Sequence, residues 1–341
     1  MSALAEILPE PAEASRPPEA RGLARDGVRL LVASPSRLLH ATFNALPELL
    51  VPGDLLVVNT SRTLPAALPA RRPDGEPLTL NLSTPVPDEP RGRWVVELRR
   101  ADGGAREGRA GERLSLPAAG RAELVAPYLG TRLWAAALTL PEPLLDYLEH
   151  NGRPIHYRHL EGDWPLELHQ TVFATEPGSA EMPSAGRPFT PELISRLVAR
   201  GIDVAPLVLH TGVSSLESDE APYPERYRVP AWTAERVNLA RRLGGRVIAV
   251  GTTVVRALES VAAENGRVSP DAGWTDLVIG PERGVRAVDG IVTGFHDRDS
   301  SHLRMLEAIA GPELLERAYR AATAAGYLRH EFGDLLLIEP R

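Results

Sequence analysis

The residues best placed to do chemistry lie in one run, Arg246-Val-Ile-Ala-Val-Gly-Thr-Thr-Val-Val-Arg-Ala-Leu-Glu-Ser260. An apolar strand here runs into Gly251, and Thr252 and Thr253 then open a helix. Ligands of open α/β sheets gather at such strand ends, where the first helical turn offers free N–H groups. Thr252, Arg256 and Glu259 are four and three positions apart, so they share one helix face. That face can hold a ligand. It can equally be a capped helix with an Arg–Glu pair worth only about 0.2–0.5 kcal/mol.

Two further groups fit the neighbourhood of a small ligand. His169-Gln170-Thr171-Val172-Phe173-Ala174 precedes the small-residue stretches Pro177-Gly178-Ser179 and Pro183-Ser184-Ala185-Gly186. Polar residues beside such loops allow close backbone approach to a ligand, or form turns with bonds of their own. Arg25-Asp26 and Asn59-Thr60-Ser61-Arg62 each sit at a strand edge, suited to ligand or structural hydrogen bonding alike. Of nine histidines, His210 and His296 stand out, because each follows an apolar stretch and emerges at a strand end. Either is a candidate acid or base, or a satisfied structural group. Glu225, Glu259 and Asp334 are candidate carboxylates without a mutual geometry that sequence reveals. No HxH or HExxH spacing occurs, so no metal site is expected.

Composition removes whole classes of mechanism. The chain has no cysteine, which excludes thiolate nucleophiles, disulfides, iron–sulfur clusters and cysteine zinc sites. It has no lysine either, so all 38 Lys and Arg residues are arginine. Schiff-base catalysis and the Walker lysine are excluded with it. The net charge is −7, where a protein holding RNA by phosphate neutralisation is usually basic. Residues 91–121 are the exception, with eight arginines against four acids. They read as a solvated β surface or a nucleic-acid patch.

The elements that must position these residues follow from their periodicity. The first 22 residues, rich in Pro, Ala and Glu, read as a flexible arm. A main α/β domain is expected over 23–64 and 142–341, where helices and buried strands alternate into a mixed or parallel sheet. Residues 65–141 carry short strands between Gly, Pro and charged turns, which predicts an inserted small all-β barrel. Within the main domain, Thr190-Pro191-Glu192 is a capped helix start and Thr233 another. No apolar run reaches about 18 residues and no signal core opens the chain, so a cytoplasmic protein without membrane contact is expected; a monomer is expected by default.

Seven blocks in order resemble the S-adenosylmethionine:tRNA ribosyltransferase-isomerases of queuosine biosynthesis. Arg25-Asp-Gly-Val-Arg-Leu-Leu-Val32 is similar to the family's RDxxRLLV, and Gly53-Asp-Leu-Leu-Val-Val-Asn-Thr-Ser-Arg62 to its GDLLVxNDTR. Gln170-Thr-Val-Phe-Ala174 resembles QTVYA, and Pro183-Ser-Ala-Gly186 resembles PTAG. Arg246–Ser260 nearly repeats RVIAVGTTxxRxLES. Thr293-Gly-Phe-His296 is similar to TNFH, and Phe332-Gly-Asp334 to the terminal FGD.

The resemblance implies S-adenosylmethionine as co-substrate, without a metal, and its use as a ribosyl donor. The acceptor it implies is 7-aminomethyl-7-deazaguanine in tRNA; adenine and methionine leave, and the ribose becomes the epoxycyclopentanediol of epoxyqueuosine. Carried over by motif, His296 and His210 are candidates for proton transfer, with Arg256 and Glu259 holding the donor. Arg25, Asp26, Asn59, Arg62, Gln170, Thr171, Ser184, Ala185, Gly186, Gly251, Thr252, Thr253 and Asp334 would line the substrate cleft.

The departures cluster. LHFT becomes Arg187-Pro-Phe-Thr190, LHVGAGTF becomes Leu209-His-Thr-Gly-Val-Ser-Ser-Leu216, and HxMHxE becomes Glu220-Ala-Pro-Tyr-Pro-Glu225. FHLPxS reads Phe295-His-Asp-Arg-Asp-Ser300, and YRFFSYGD reads Tyr327-Leu-Arg-His-Glu-Phe-Gly-Asp334. Strand and donor elements persist while histidine-rich loops change. The alternatives are therefore a divergent S-adenosylmethionine-cleaving enzyme with a small-molecule acceptor, or a non-catalytic adenosyl- or tRNA-binding module.

Overall fold

A computed structural model describes residues 7–89, 92–100, 103–130, 132–213, 222–298 and 300–339. Among these the chain forms a nine-stranded mixed sheet with helices on both faces, and a closed six-stranded antiparallel barrel. From edge to edge the sheet runs through Asp271–Thr275, Glu225–Val229, Asp203–Leu209, Leu55–Asn59, Val247–Val250, Gly290–Gly294, Leu335–Ile338, Arg29–Ala33 and Leu38–Thr42. The four from Asp203–Leu209 to Gly290–Gly294 are mutually parallel.

Burial on both faces explains why the central strands read as continuous apolar runs. Successive side chains alternate between faces. Leu55, Val57, Val247 and Ala249 therefore enter one core with Val237 and Leu258 of the helices Ala231–Arg242 and Thr252–Ser260. Leu56, Val58, Ile248 and Val250 enter the other, with Phe189 and with Leu193 of the helix Pro191–Ala199. That last helix is capped as its sequence specifies, Thr190 accepting a bond from the Leu193 amide at 3.1 Å. The Ala231–Arg242 helix starts two residues before Thr233, whose hydroxyl instead donates to the Pro206 carbonyl.

Barrel strands run from Ala67–Arg71 to Leu133–Thr139 around Leu80, Val96, Leu98 and Leu124. Its arginines are largely neutralised. Arg93, Arg99, Arg106 and Arg113 meet Glu89, Glu97, Glu76 and Glu123 at 2.7–3.5 Å.

The N-terminal segment departs from expectation. From Leu8 onward it is held: Leu8 and Ala14 are buried, and Ala12–Glu13 pairs in parallel with Leu328–Arg329. Arg187 helps explain this, since it reaches Glu19 at 2.8 Å and stacks on Phe332. An arm rich in Pro and Ala is fixed here by tertiary partners that its own composition does not announce. Among the described residues, no helix is long and apolar enough to cross a membrane.

Candidate active site

The two ends of the parallel strands differ. At the amino ends, Arg246 clamps the fully buried Asp54 at 2.9 Å and Glu339 at 2.5 Å. This is a closed ion-pair network, and nothing in it is free for a ligand. At the carboxyl ends, Asn59, His210, Gly251 and His296 follow on four neighbouring strands. With strands about 4.8 Å apart, these positions span about 14–15 Å, the width of a nucleoside with its substituent.

Hydrogen bonds fix the groups there. Asn59 accepts from the amides of Ser61 (3.0 Å) and Leu209 (3.1 Å) and donates to the Leu209 carbonyl (2.8 Å) and Thr253 Oγ1 (3.3 Å). It thereby locks two strand ends to the start of the Thr252–Ser260 helix. Gly251 has φ 94°, which favours glycine, and a side chain there would lie 3.3 Å from the Ala185 methyl. The Ser184–Gly186 turn is thus packed onto the strand end.

His210 is buried, with Nδ1 2.8 Å from Ser61 Oγ, which in turn lies 2.6 Å from Ser179 Oγ. Its Nε2 is 3.7 Å from Glu176. Burial lowers its pKa, opposed by Glu176, so the imidazole is neutral at pH 7. Any Cβ on Gly178 would come within 2.3 Å of His210 Nδ1, so that glycine makes room for the ring.

His296 Nε2 lies 3.0 Å from Thr293 Oγ1, and its amide donates to Tyr319 Oη at 3.0 Å. Burial, with His302 and His330 nearby, pushes it well below the ordinary histidine value. His302, tilted against it at 4.7 Å, is held at about 4 by burial and by Arg256.

The remaining expected residues are placed otherwise. Arg256 does not pair with Glu259. It binds Glu225 and the Thr275 carbonyl (3.1 Å), and Glu225 accepts from the Gly212 amide at 2.9 Å. This chain positions the loop after His210. Glu259 is almost fully buried and accepts from Arg283 and from the amides of Arg286 and Ala287, all at 2.8–2.9 Å. Charges so enclosed need such partners, and a role for either side chain in holding the donor is not what these bonds provide.

Asp334 likewise clamps Arg29 at 2.8 Å and the Leu328 amide at 2.9 Å. Gln170 mimics a strand, bonding both backbone groups of Thr63 at 3.0 and 2.8 Å. Thr171 accepts from the Phe173 amide, and Arg25 donates to the Gln170 carbonyl at 2.9 Å. Asp26 is partly buried beside Arg25. Arg62 points elsewhere, pairing at 3.5 Å with Glu149 in a cleft of about 1740 Å³ between barrel and sheet.

Sequence reasoning passed over Glu176 and His302, and saw Ser61, Ser179 and Thr293 only as parts of a strand edge, a small-residue loop and a motif block. Isolated Ser, Thr and Glu carry no signal until the fold joins them. Ser214–Leu216, Glu220, Ala221 and Asp299 lie outside the described residues.

Comparison with known proteins agrees with the seven-block pattern. The model of a family described as "Queuosine biosynthesis protein" matches residues 5–338. The chain belongs to this family. An S-adenosylmethionine:tRNA ribosyltransferase-isomerase of Symbiobacterium thermophilum is 37% identical, over 97% of either chain. One from Thermus thermophilus is 38% identical, over 92% of this chain and 93% of its own. A crystal structure of S-adenosylmethionine tRNA ribosyltransferase from Thermotoga maritima superposes with a TM-score of 0.52 at 29% identity, covering 97% of this chain and 98% of that one. The barrel and mixed sheet are therefore the family's architecture.

Proposed function

We propose that this chain is an S-adenosylmethionine:tRNA ribosyltransferase-isomerase. It transfers the ribosyl group of S-adenosylmethionine to the aminomethyl nitrogen of 7-aminomethyl-7-deazaguanine in tRNA and isomerises it. Adenine and methionine leave, and epoxyqueuosine results. The observation that carries this reading is near-full-length similarity to relatives of that name.

The sulfonium makes methionine a leaving group and acidifies the adjoining 5′ carbon, so the protein must supply a base, orientation and dryness. His210 and His296 both suit proton acceptance, since burial keeps each imidazole unprotonated near neutral pH. Gly251, its own amide bonded to the Val292 carbonyl at 2.8 Å, allows close backbone approach, and Thr252 and Thr253 open the helix toward the donor, with Asn59 holding Thr253 in place. The tRNA acceptor would enter from the cleft that Arg62, Arg99, Arg153 and Arg158 line, since arginines can meet backbone phosphates despite the negative total charge.

Mass spectrometry of the protein with S-adenosylmethionine, with and without tRNA carrying the aminomethyl base, tests it. Adenine and methionine released only with that tRNA, together with added mass on the RNA, is the expected result. Donor breakdown that ignores tRNA would move the acceptor to a small molecule. No breakdown in either case would overturn the enzymatic reading.

A further inference from the structure

The segment returning from the barrel to the sheet carries His159. The turn before the last strand carries His330 and Glu331, the latter 172 positions away. One donor atom from each of the three lies within 4.8 Å of the others. His159 Nε2 is 2.9 Å from the Glu331 carboxylate, and the two imidazoles stack with centroids 4.3 Å apart. His330 holds φ 73°, a left-handed conformation uncommon for a residue with a side chain. Strain of this kind persists where surrounding structure enforces it, often at functional positions. In the family pattern, Phe and Ser stand where this chain has His330 and Glu331, so the cluster belongs to this chain's own departures.

Charge and access point the same way. Arg329 and Arg298 are answered by Glu10, Glu13 and Asp297. With Glu331, four carboxylates thus face two guanidinium groups beside the histidines. Glu13 and Asp297 approach His330 Nε2 at 3.5 and 3.7 Å, and Arg329 Nε donates to it at 3.0 Å, a bond that metal binding must displace. The His159, His330 and Glu331 side chains are 11%, 16% and 18% exposed and open onto the large cleft.

We propose that His159, His330 and Glu331 bind one divalent transition-metal ion, Zn²⁺ being the best match, with an open position toward the cleft. Two imidazoles and one carboxylate form the donor set of open zinc sites, whereas Mg²⁺ and Ca²⁺ want oxygen-rich shells. Tetrahedral zinc places donor atoms about 3.3 Å apart, so binding unstacks the two rings and turns their nitrogens inward. The ion ties the barrel's return segment to a turn whose His330 amide donates to Phe295, next to His296. Sequence spacing alone gave no hint of it, because the ligands meet only in the fold. The site is independent of the proposed reaction and is tested by binding.

The experiment uses full-length, tag-free protein stripped with chelator and then titrated with Zn²⁺, bound metal being counted by mass spectrometry. Co²⁺ supplies a visible spectrum that reports a tetrahedral site. One equivalent is expected, with His159→Ala and Glu331→Gln each weakening it by at least about 10-fold, the scale that even outer partners of bound metals command. His330→Gly guards against a folding artefact, since glycine accepts the positive φ. Its thermal midpoint without metal should match or exceed wild type, and Zn²⁺ should raise only the wild-type midpoint. Uptake below one equivalent, or uptake unchanged in all three variants, would overturn the proposal and leave an ordinary His159–Glu331 hydrogen bond.

Discussion

The carboxyl edge of the sheet and the cleft beside the barrel are both polar, yet they are built on opposite principles. At the edge, Asn59, Ser61, Ser179 and His210 are neutral, buried and hydrogen-bonded to one another. In the cleft, arginines meet carboxylates across partly exposed pairs such as Arg62–Glu149. A dry, neutral network keeps imidazoles unprotonated and fixed, which suits proton acceptance. A wetter, charged wall exchanges partners at low cost, which suits admission of a polyanion. On the proposed function, chemistry and recruitment sit on adjoining surfaces without sharing residues.

The sharpest way to break this comparison is at His210. His210→Ala should lower turnover between about 10²- and 10⁴-fold with little change in thermal midpoint, measured by adenine release. Gly178→Ala should act through the same ring, because the new methyl displaces it. A loss of about 100-fold is expected there, and the double variant should be no slower than His210→Ala alone. Additive losses would detach Gly178 from the ring.

Arg256→Ala comes next. It leaves Glu225 enclosed without its counter-charge, which should cost about 3–5 kcal/mol in denaturant unfolding. Replacing both partners by apolar residues should cost less. An unaltered midpoint in the single variant would return Arg256 to the list of ligand-binding side chains.

The buried histidines predict a pH-dependent effect. His169 and His302 are both held at about 4 by burial, against an ordinary 6.5. The unfolded chain therefore takes up protons near 6.5 that the folded chain refuses until about 4. Stability should fall as pH drops through that window and be unaffected by these groups above it. A flat midpoint between pH 7 and 4.5 would contradict this. The smallest change is expected from Arg62→Ala: under about 1 kcal/mol in stability, with tRNA affinity reduced and its salt slope lowered by about one. An equal loss of S-adenosylmethionine binding measured without tRNA would erase the division between the two regions.

Much of the fold was legible because strands and helices leave local signatures. The Leu55–Asn59 and Val247–Val250 strands read as apolar runs since both their faces are covered, and Thr190-Pro191 marks its helix by capping chemistry. The barrel's short strands were legible by their turns. The N-terminal segment was not, because its anchors, Glu19 to Arg187 and Glu13 to Arg329, come from remote parts of the chain.

For the site, sequence by itself determined the family, the GTT turn and the two strand-end histidines, since these are contiguous motifs whose spacing survives in one dimension. Only the tertiary structure decided what each polar group touches. Arg256 and Glu259 share a helix face, yet they reach Glu225 and the Arg283–Ala287 loop in different directions. His159 and Glu331 are distant in sequence but 2.9 Å apart in space. The reason is physical: hydrogen bonds and ion pairs depend on distances of about 3 Å, and for remote residues those distances are set by sheet order and packing, which no local pattern encodes.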